Sequence, residues 1–412
     1  MGGSLSTNEE TRFPGRGTAF RGMFGLLTMV VLVGMGEKMA ERFLPVYMLA
    51  LGGTAIAVGM LSGMDNLLSA LYSLPGGWFS HRLGTKRALL LFNLVAMAGF
   101  VVVIAVPRWE AVLAGSVLFL SWTAISLPAS MDLISKLLPG NRRTFGVSLH
   151  SFVRRIPMAL GPIVGGLCID RWGAVEGVRI AFVAALGMAV IAAVMQQILI
   201  RDDRPAAREP WRHSGLIGPQ LRNLLASDIL IRFCEQIPYA FVVIWCMQTL
   251  GTGVRGHPIS AVQFGYLTTI EMATAMIVYL PVARMADRMG KRPFVMVTFG
   301  FFTMFPIALF FCRSFWLLAA AFVLRGLKEF GEPARKALIV DLAPEGRKAA
   351  AFGLYYLIRD SIVAVAAFGG AFLWNVSPQT NFFAAGFFGL VGTIWFALRG
   401  RDFPAPPGVP AS

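Results

Sequence analysis

The sequence predicts an all-α membrane protein whose twelve transmembrane helices form two parallel-repeat six-helix bundles. Three observations predict it. Hydrophobic types make up 56% of the 412 residues and charged types only 14%, where soluble domains hold about 45–50% and 25%. Apolar stretches of the roughly 20 residues that a bilayer requires recur twelve times between polar breaks. The second six repeat features of the first at a nearly fixed offset. This composition excludes a soluble enzyme, a disordered chain and a coiled coil. The 33 Phe and 44 Gly suit helices packed in lipid.

The elements follow in order. Residues 1–22 form a polar N-terminal tail without the apolar core of a signal peptide, so the first apolar run is expected to stay in the membrane. The first bundle, 23–200, holds spans at 23–49, 55–78, 88–106, 111–133, 145–169 and 180–200. A polar linker, 201–222, carries Pro205, Pro210 and Pro219. The second bundle, 223–398, holds spans at 226–250, 260–285, 294–311, 315–339, 349–374 and 381–398. A short tail, 399–412, ends the chain.

Charge sets the expected orientation. The net charge of +15 concentrates in alternate loops, among them Arg82, Lys86 and Arg87; Lys136, Arg142 and Arg143; and Arg284, Arg288, Lys291 and Arg292. The opposite loops hold few bases, such as Arg108, Arg171 and Arg255. Basic loops stay in the cytoplasm, which places both termini there, in the plasma membrane of a bacterial type (the inner membrane). The excess base is then a cytoplasmic coat next to the lipid bilayer, and no nucleic-acid partner is expected. Cys168, Cys234, Cys246 and Cys312 have no metal-binding or disulfide spacing. No metal or cofactor is expected, and the protein is read as a monomer.

The repeat appears at a shift of 206 residues. Ala55 meets Ala261, Gly59 meets Gly265, Asp65 meets Glu271, Leu74-Pro75 meets Leu280-Pro281, and Gly84 meets Gly290. Phe145-Gly146 matches Phe352-Gly353 at 207. Parallel duplicated halves with a site between them near the midplane are a transporter architecture.

Two loops then carry a motif. Gly77-Trp78-Phe79-Ser80-His81-Arg82-Leu83-Gly84-Thr85-Lys86-Arg87 follows span 2, and Ala283-Arg284-Met285-Ala286-Asp287-Arg288-Met289-Gly290-Lys291-Arg292 follows span 8. With the twelve-span pattern, the chain resembles the major facilitator superfamily, whose motif reads Gly-x-x-x-Asp-Arg-x-Gly with two bases after it. His81 stands where the family has Asp, and Ala283 where it has Gly. The resemblance implies the major facilitator fold and a gate on the cytoplasmic side built from Gly77, His81, Arg82, Gly84, Asp287, Arg288 and Gly290. The glycines permit tight turns, and Asp287 can pair with a nearby Arg.

Ionisable residues inside a span are costly and mark function by default. Spans 3, 6, 9 and 12 hold none between their ends; in the resembling superfamily these are the peripheral helices. Span 1 carries Glu37, Lys38, Glu41 and Arg42; span 2 Asp65; span 5 Arg154 and Arg155; span 7 Arg232 and Glu235. Span 8 carries Glu271, span 10 Arg325, Lys328, Glu329 and Glu332, and span 11 Arg359 and Asp360. At about 1.5 Å per residue, Asp65, Glu271, Arg154, Arg359, Arg325 and Glu235 fall roughly 13–17 Å deep in a core about 30 Å thick. Arg325 and Glu329, Lys328 and Glu332, Glu37 and Glu41, and Lys38 and Arg42 are four apart, a spacing that shares a helix face. Some of these charges are expected to neutralise one another and the rest to form a proton-coupling and substrate cavity.

Span 5 contains Gly161-Pro162-Ile163-Val164-Gly165-Gly166, similar to the core of the superfamily's antiporter motif. Gly161, Pro162, Gly165 and Gly166 allow close helix approach. The resemblance is closest to the proton-coupled drug and metabolite antiporters, which implies a secondary active transporter for a small-molecule substrate, with protons as partner and efflux as direction. Glu37, Asp65 or Glu271 would carry the proton. An uptake or exchange carrier for an organic anion, clamped by Arg154, Arg155, Arg325 and Arg359, is the alternative. No enzyme constellation is present: there is no Ser-His-Asp set or phosphate loop.

Overall fold

A computed structural model describes residues 16–120, 149–150, 152–200, 216–249, 258–344 and 348–400, with positions 122, 126, 130, 133 and 134 of span 4. Among these residues all regular secondary structure is helical. Span 1 comprises α1 (Arg16–Glu41) and α2 (Leu44–Ala50). Spans 2 and 3 are α3 (Ala55–Leu83) and α4 (Thr85–Ala105), and span 4 opens with α5 (Trp109–Phe119). Spans 5 and 6 form one run, α6 (Arg155–Leu199), divided at Gly173 with φ 83°. Its 45 residues would stretch about 68 Å if straight, twice what a bilayer holds, so the break at Gly173 is a turn between two crossings.

The second half repeats the plan. Span 7 is α7 (Pro219–Tyr239), the short α8 (Phe241–Ile244) and a π-helical turn, Trp245–Thr249. Spans 8 and 9 are α9 (Ala261–Met289) and α10 (Arg292–Phe311). Span 10 is split into α11 (Phe315–Leu327) and α12 (Glu332–Asp341). Spans 11 and 12 are α13 (Lys348–Val376) and α14 (Pro378–Arg399). Nine helices among the described residues are long and apolar enough to cross a membrane. The double span α6, the partly described span 4 and the split span 10 bring this into agreement with twelve.

Local chemistry starts and stops these helices. Thr54 and Ser260, equivalent in the repeat, cap α3 and α9 through their hydroxyls, which accept from Ala57 N at 3.4 Å and Gln263 N at 3.2 Å. Each satisfies an amide that the first helical turn leaves open. Gly84 and Gly290 end the same two helices at φ 80° and 90°, a region that only glycine enters without strain. The turn expected of both glycines is therefore present twice, in the same backbone geometry.

Packing between the halves runs along two seams, α3 with α13 and α6 with α9. Gly59 and Gly63 face Ala364, Phe368 and Ala371 of α13. Gly265 of α9 faces Pro162 and Ile163 of α6, and Gly166 faces the backbone of Ala261 and Val262. Within the first bundle, Gly161 and Gly165 lie against Lys38 and Met39 of α1. The Gly-Pro-x-x-Gly-Gly run thus has two small faces, one for each neighbour. These contacts lie near the starts of α3 and α9, away from the turns at Gly84 and Gly290. A buried polar relay ties the peripheral helices: Trp122 Nε1 donates to Asn93 Oδ1 at 2.7 Å, Asn93 donates to Gln196 Oε1 at 2.7 Å, and Gln196 donates to the Lys86 carbonyl at 2.8 Å.

Three expectations need correction. Spans 1, 7 and 10 are interrupted near their middles, at Arg42–Phe43, Ala240 and Lys328–Gly331. Pro45 and Pro333 near the start of the following helices lack the N–H that a continuing helix requires. Because span 10 breaks, the pairs Arg325/Glu329 and Lys328/Glu332 do not bond along one face.

Candidate functional site

The three interrupted helices meet at a cavity between the halves, lined by Glu41, Arg42, Asp65, Tyr239, Arg325 and apolar residues that include Leu61, Leu120 and Phe264. Breaking a helix there brings side chains from both segments to the same point. A second space of about 300 Å³ adjoins it through the shared residues Tyr239, Val242 and Arg325, and adds Glu235, Lys328, Phe302 and Phe305.

The charges of the second half form a continuous ladder. Glu271 lies 3.3 Å from Arg325 Nε and 3.4 Å from Lys328 Nζ. Lys328 reaches Glu235 at 2.7 Å, and Glu235 pairs with Arg232 at 2.5 Å. Arg232 is 3.8 Å from Glu332, which pairs with Arg335 at 2.7 Å. Arg335 also pairs with Asp228, which accepts from Tyr355 Oη at 2.9 Å and lies 3.5 Å from Arg359. Arg359 pairs with Asp360 at 2.7 Å. A charge buried away from water is tolerable only when paired, and this ladder alternates sign almost completely.

The first half is simpler. Lys38 pairs with Glu37 at 3.1 Å and with Glu41, so it holds both acids of span 1. Arg42 Nη1 donates to Tyr239 Oη at 2.7 Å across the halves, and its guanidinium carbon stands 5.3 Å from the Tyr239 ring centre. Arg325 approaches the same ring at 5.6 Å. Two cations of opposite halves therefore bracket one phenol. Asn66 also crosses to Gln236 at 3.3 Å. Asp65, half-buried on the cavity wall, makes no hydrogen bond or ion pair among the described residues.

The expected residues thus divide. Glu41, Arg42, Asp65, Glu235, Arg325 and Lys328 line the two spaces, with Glu271 directly behind them. Arg232, Arg359 and Asp360 belong to the ladder. Arg155 and Glu329 pair across the halves at 3.4 Å, and Arg155 also stacks 5.0 Å from the Tyr279 ring centre. Arg154 lines neither space. Arg82 is exposed. The remaining gate-motif residues Gly77, His81, Asp287 and Arg288 have side-chain positions outside the described residues. Sequence reasoning missed Asp228, Arg335, Tyr239 and Tyr355. Asp228 sits near the start of span 7 and reads as interfacial. Arg335 stands beside Lys336 and reads as part of a basic end. The Glu332–Arg335 spacing of three was the available signal.

Two bundles of parallel repeat around a polar central cavity define a secondary transporter fold. The Major Facilitator Superfamily model matches residues 26–254 and 224–412, and the chain belongs to that family. It is 24% identical over 406 residues to the multidrug resistance protein MdtH of Sodalis glossinidius, covering 94% of this chain and 96% of MdtH. It is 25% identical over 408 residues to the inner membrane transport protein YajR of Escherichia coli, covering 94% and 84%. Among solved structures, a peptide transporter POT in complex with sulfate superposes with a TM-score of 0.75 at 15% identity, covering 92% and 93%. The protein is a multi-pass membrane transporter for a small molecule.

Proposed function

We propose that the protein exports a small amphipathic organic solute by alternating access, coupled to protons that enter from outside. One observation carries this reading. Every other acid described around the cavity and along the ladder has a cationic partner, whereas the Asp65 carboxylate faces the cavity without one. A paired carboxylate is held ionised by its partner. An unpaired carboxylate on a cavity wall can take up and release a proton without breaking an ion pair. Asp65 is therefore the proton carrier among Glu37, Asp65 and Glu271, and the apolar walls receive the body of the solute.

The organic-anion reading fares less well on the same grounds. Of its four arginines, Arg155, Arg325 and Arg359 are matched by Glu329, by Glu271, and by Asp228 with Asp360, and Arg154 lines neither space. The multidrug resistance names of relatives such as MdtH support export. With basic loops in the cytoplasm, the turns at Gly84 and Gly290 face inward and the starts of α3 and α9 face outward. Both termini and the 201–222 linker then lie in the cytoplasm, and the protein works as a monomer.

Transport into inside-out vesicles tests this. An interior-acid gradient should drive accumulation of fluorescent amphipathic compounds, and addition of a transported compound should release protons from the vesicles. Asp65→Asn should abolish both effects. Movement of organic anions alone, indifferent to the gradient, would favour the exchange carrier instead.

A further inference from the structure

The cavity wall holds a second unmatched charge besides Asp65. Arg42 is half-buried on the same wall, and among the described residues it makes no ion pair. Its one hydrogen bond goes to the Tyr239 hydroxyl, 2.7 Å away, which is a neutral group. The acids that could have matched it are engaged elsewhere: Glu41 on Lys38, and Glu271 beside Arg325 and Lys328. Arg42 and Asp65 line one cavity and do not pair with each other. A free cation and a free anion left facing the same low-polarity space are each costly. They leave room between them for a molecule that carries both complementary charges.

We infer that the cavity binds a small zwitterion with an apolar body, its anionic group on Arg42 and its ammonium group on Asp65. Arg42 presents a planar fork suited to a carboxylate or a comparable oxyanion. Leu61, Leu120, Val242, Val243 and Phe264 cover the apolar part. Arg42 belongs to the turn that interrupts span 1, so its guanidinium reaches the cavity from a place where the backbone has left the helix. The arrangement rests on the reading of this cavity as the transport site and adds how coupling works there. A proton on Asp65 removes the counter-charge of the ammonium group, so protonation and solute binding compete for one carboxylate while Arg42 holds the other end.

Three compounds that share one apolar body test the inference on the purified full-length protein: tryptophan, a zwitterion; its methyl ester, a cation; and its N-acetyl derivative, an anion. Binding is read as ligand-dependent thermal stabilisation. Tryptophan should bind at least about tenfold more tightly than either derivative, the loss that follows one charged hydrogen-bonded contact. Arg42→Gln should bring tryptophan and the ester to equal affinity, and Asp65→Asn should do so for tryptophan and the N-acetyl compound. Preference for the ester, preference for the N-acetyl compound, or binding of none of the three overturns the zwitterion assignment. Gradient-driven transport of another amphipathic compound in the vesicle assay would leave proton-coupled export standing in each of those cases.

Discussion

Asp170, at the far end of span 5, caps the first turn of α9 from the other half of the molecule: its carboxylate accepts from Ala261 N at 2.9 Å and from Val262 N at 3.1 Å. With Ser260 holding Gln263 N, the open amides of that turn are largely satisfied, and a negative charge sits at the positive end of a 29-residue helix. The repeat equivalent of Asp170 is Val376, so the α3–α13 seam has no such carboxylate. Among the described residues, one seam is therefore latched electrostatically and the other shows packing contacts without such a carboxylate. Asp170→Asn should weaken the latch by about 1 kcal/mol, a factor of about five in the balance between closed and open forms. Spin labels at Leu167→Cys and Tyr266→Cys, in a background without other cysteines, would show the longer-distance population growing by that factor. An unchanged distance distribution would remove Asp170 from the closing of this end.

Asp65 and Glu271 occupy equivalent places in the repeat yet differ in surroundings, and the two neutral variants should separate accordingly. Glu271 is almost wholly buried between Arg325 and Lys328. Its two oxygens make no hydrogen bond, so it acts as a counter-charge to two cations. Glu271→Gln should destabilise the protein by about 3–5 kcal/mol, the usual cost of stranding buried charge. Asp65→Asn removes a charge that has no partner and should leave thermal stability near that of the parent while transport coupling is lost. Equal stability losses in both variants would show that Asp65 has a structural partner.

How much of this was legible in the sequence depends on the physics behind each feature. The twelve spans were readable because a helix in lipid must satisfy its own backbone and be apolar along its length. The turns at Gly84 and Gly290 were readable because a short connection between antiparallel spans demands a positive φ that glycine supplies. The interruptions in spans 1, 7 and 10 were not, since average apolarity is the same for a straight helix and a broken one; Pro45 and Pro333 were the local clues. Which charges pair was also hidden. Lys328 joins Glu235 of span 7 and Glu271 of span 8 only once three helices pack, and spacing along one helix points to Glu332 instead.

The glycines of span 5 permit a sharper stability test than any polar site. A methyl group at Gly165 would run into the backbone of Met39, whereas Gly187 in span 6 has open space at the same position. Backbone cannot move aside as a flexible side chain can. Gly165→Ala should therefore cost about 1–3 kcal/mol through overpacking and lower the yield of monodisperse protein. Gly187→Ala should be neutral or slightly stabilising, since alanine is the better helix former. A Gly165→Ala protein as stable as the parent would mean that α1 and α6 can separate without loss.

The innermost rung of the ladder gives a prediction that distinguishes pairing from mere burial. Asp228 and Arg335 are 1% exposed each, and Tyr355 donates to the same Asp228 oxygen that Arg335 engages. Removing one partner leaves a buried charge unmatched, so Asp228→Leu alone should destabilise by about 3–5 kcal/mol. Arg335→Met alone strands Asp228 less completely, because Tyr355 and Arg359 remain, and should cost less. The double variant removes both charges together, and replacing a buried pair by apolar groups of similar volume is often close to neutral. Chemical or thermal unfolding of the four proteins forms a double-mutant cycle. The double variant should be more stable than Asp228→Leu, with a coupling energy above about 1 kcal/mol. Additive losses would show that Asp228 and Arg335 serve separate neighbours, and that the ladder is a row of independent pairs rather than one connected network.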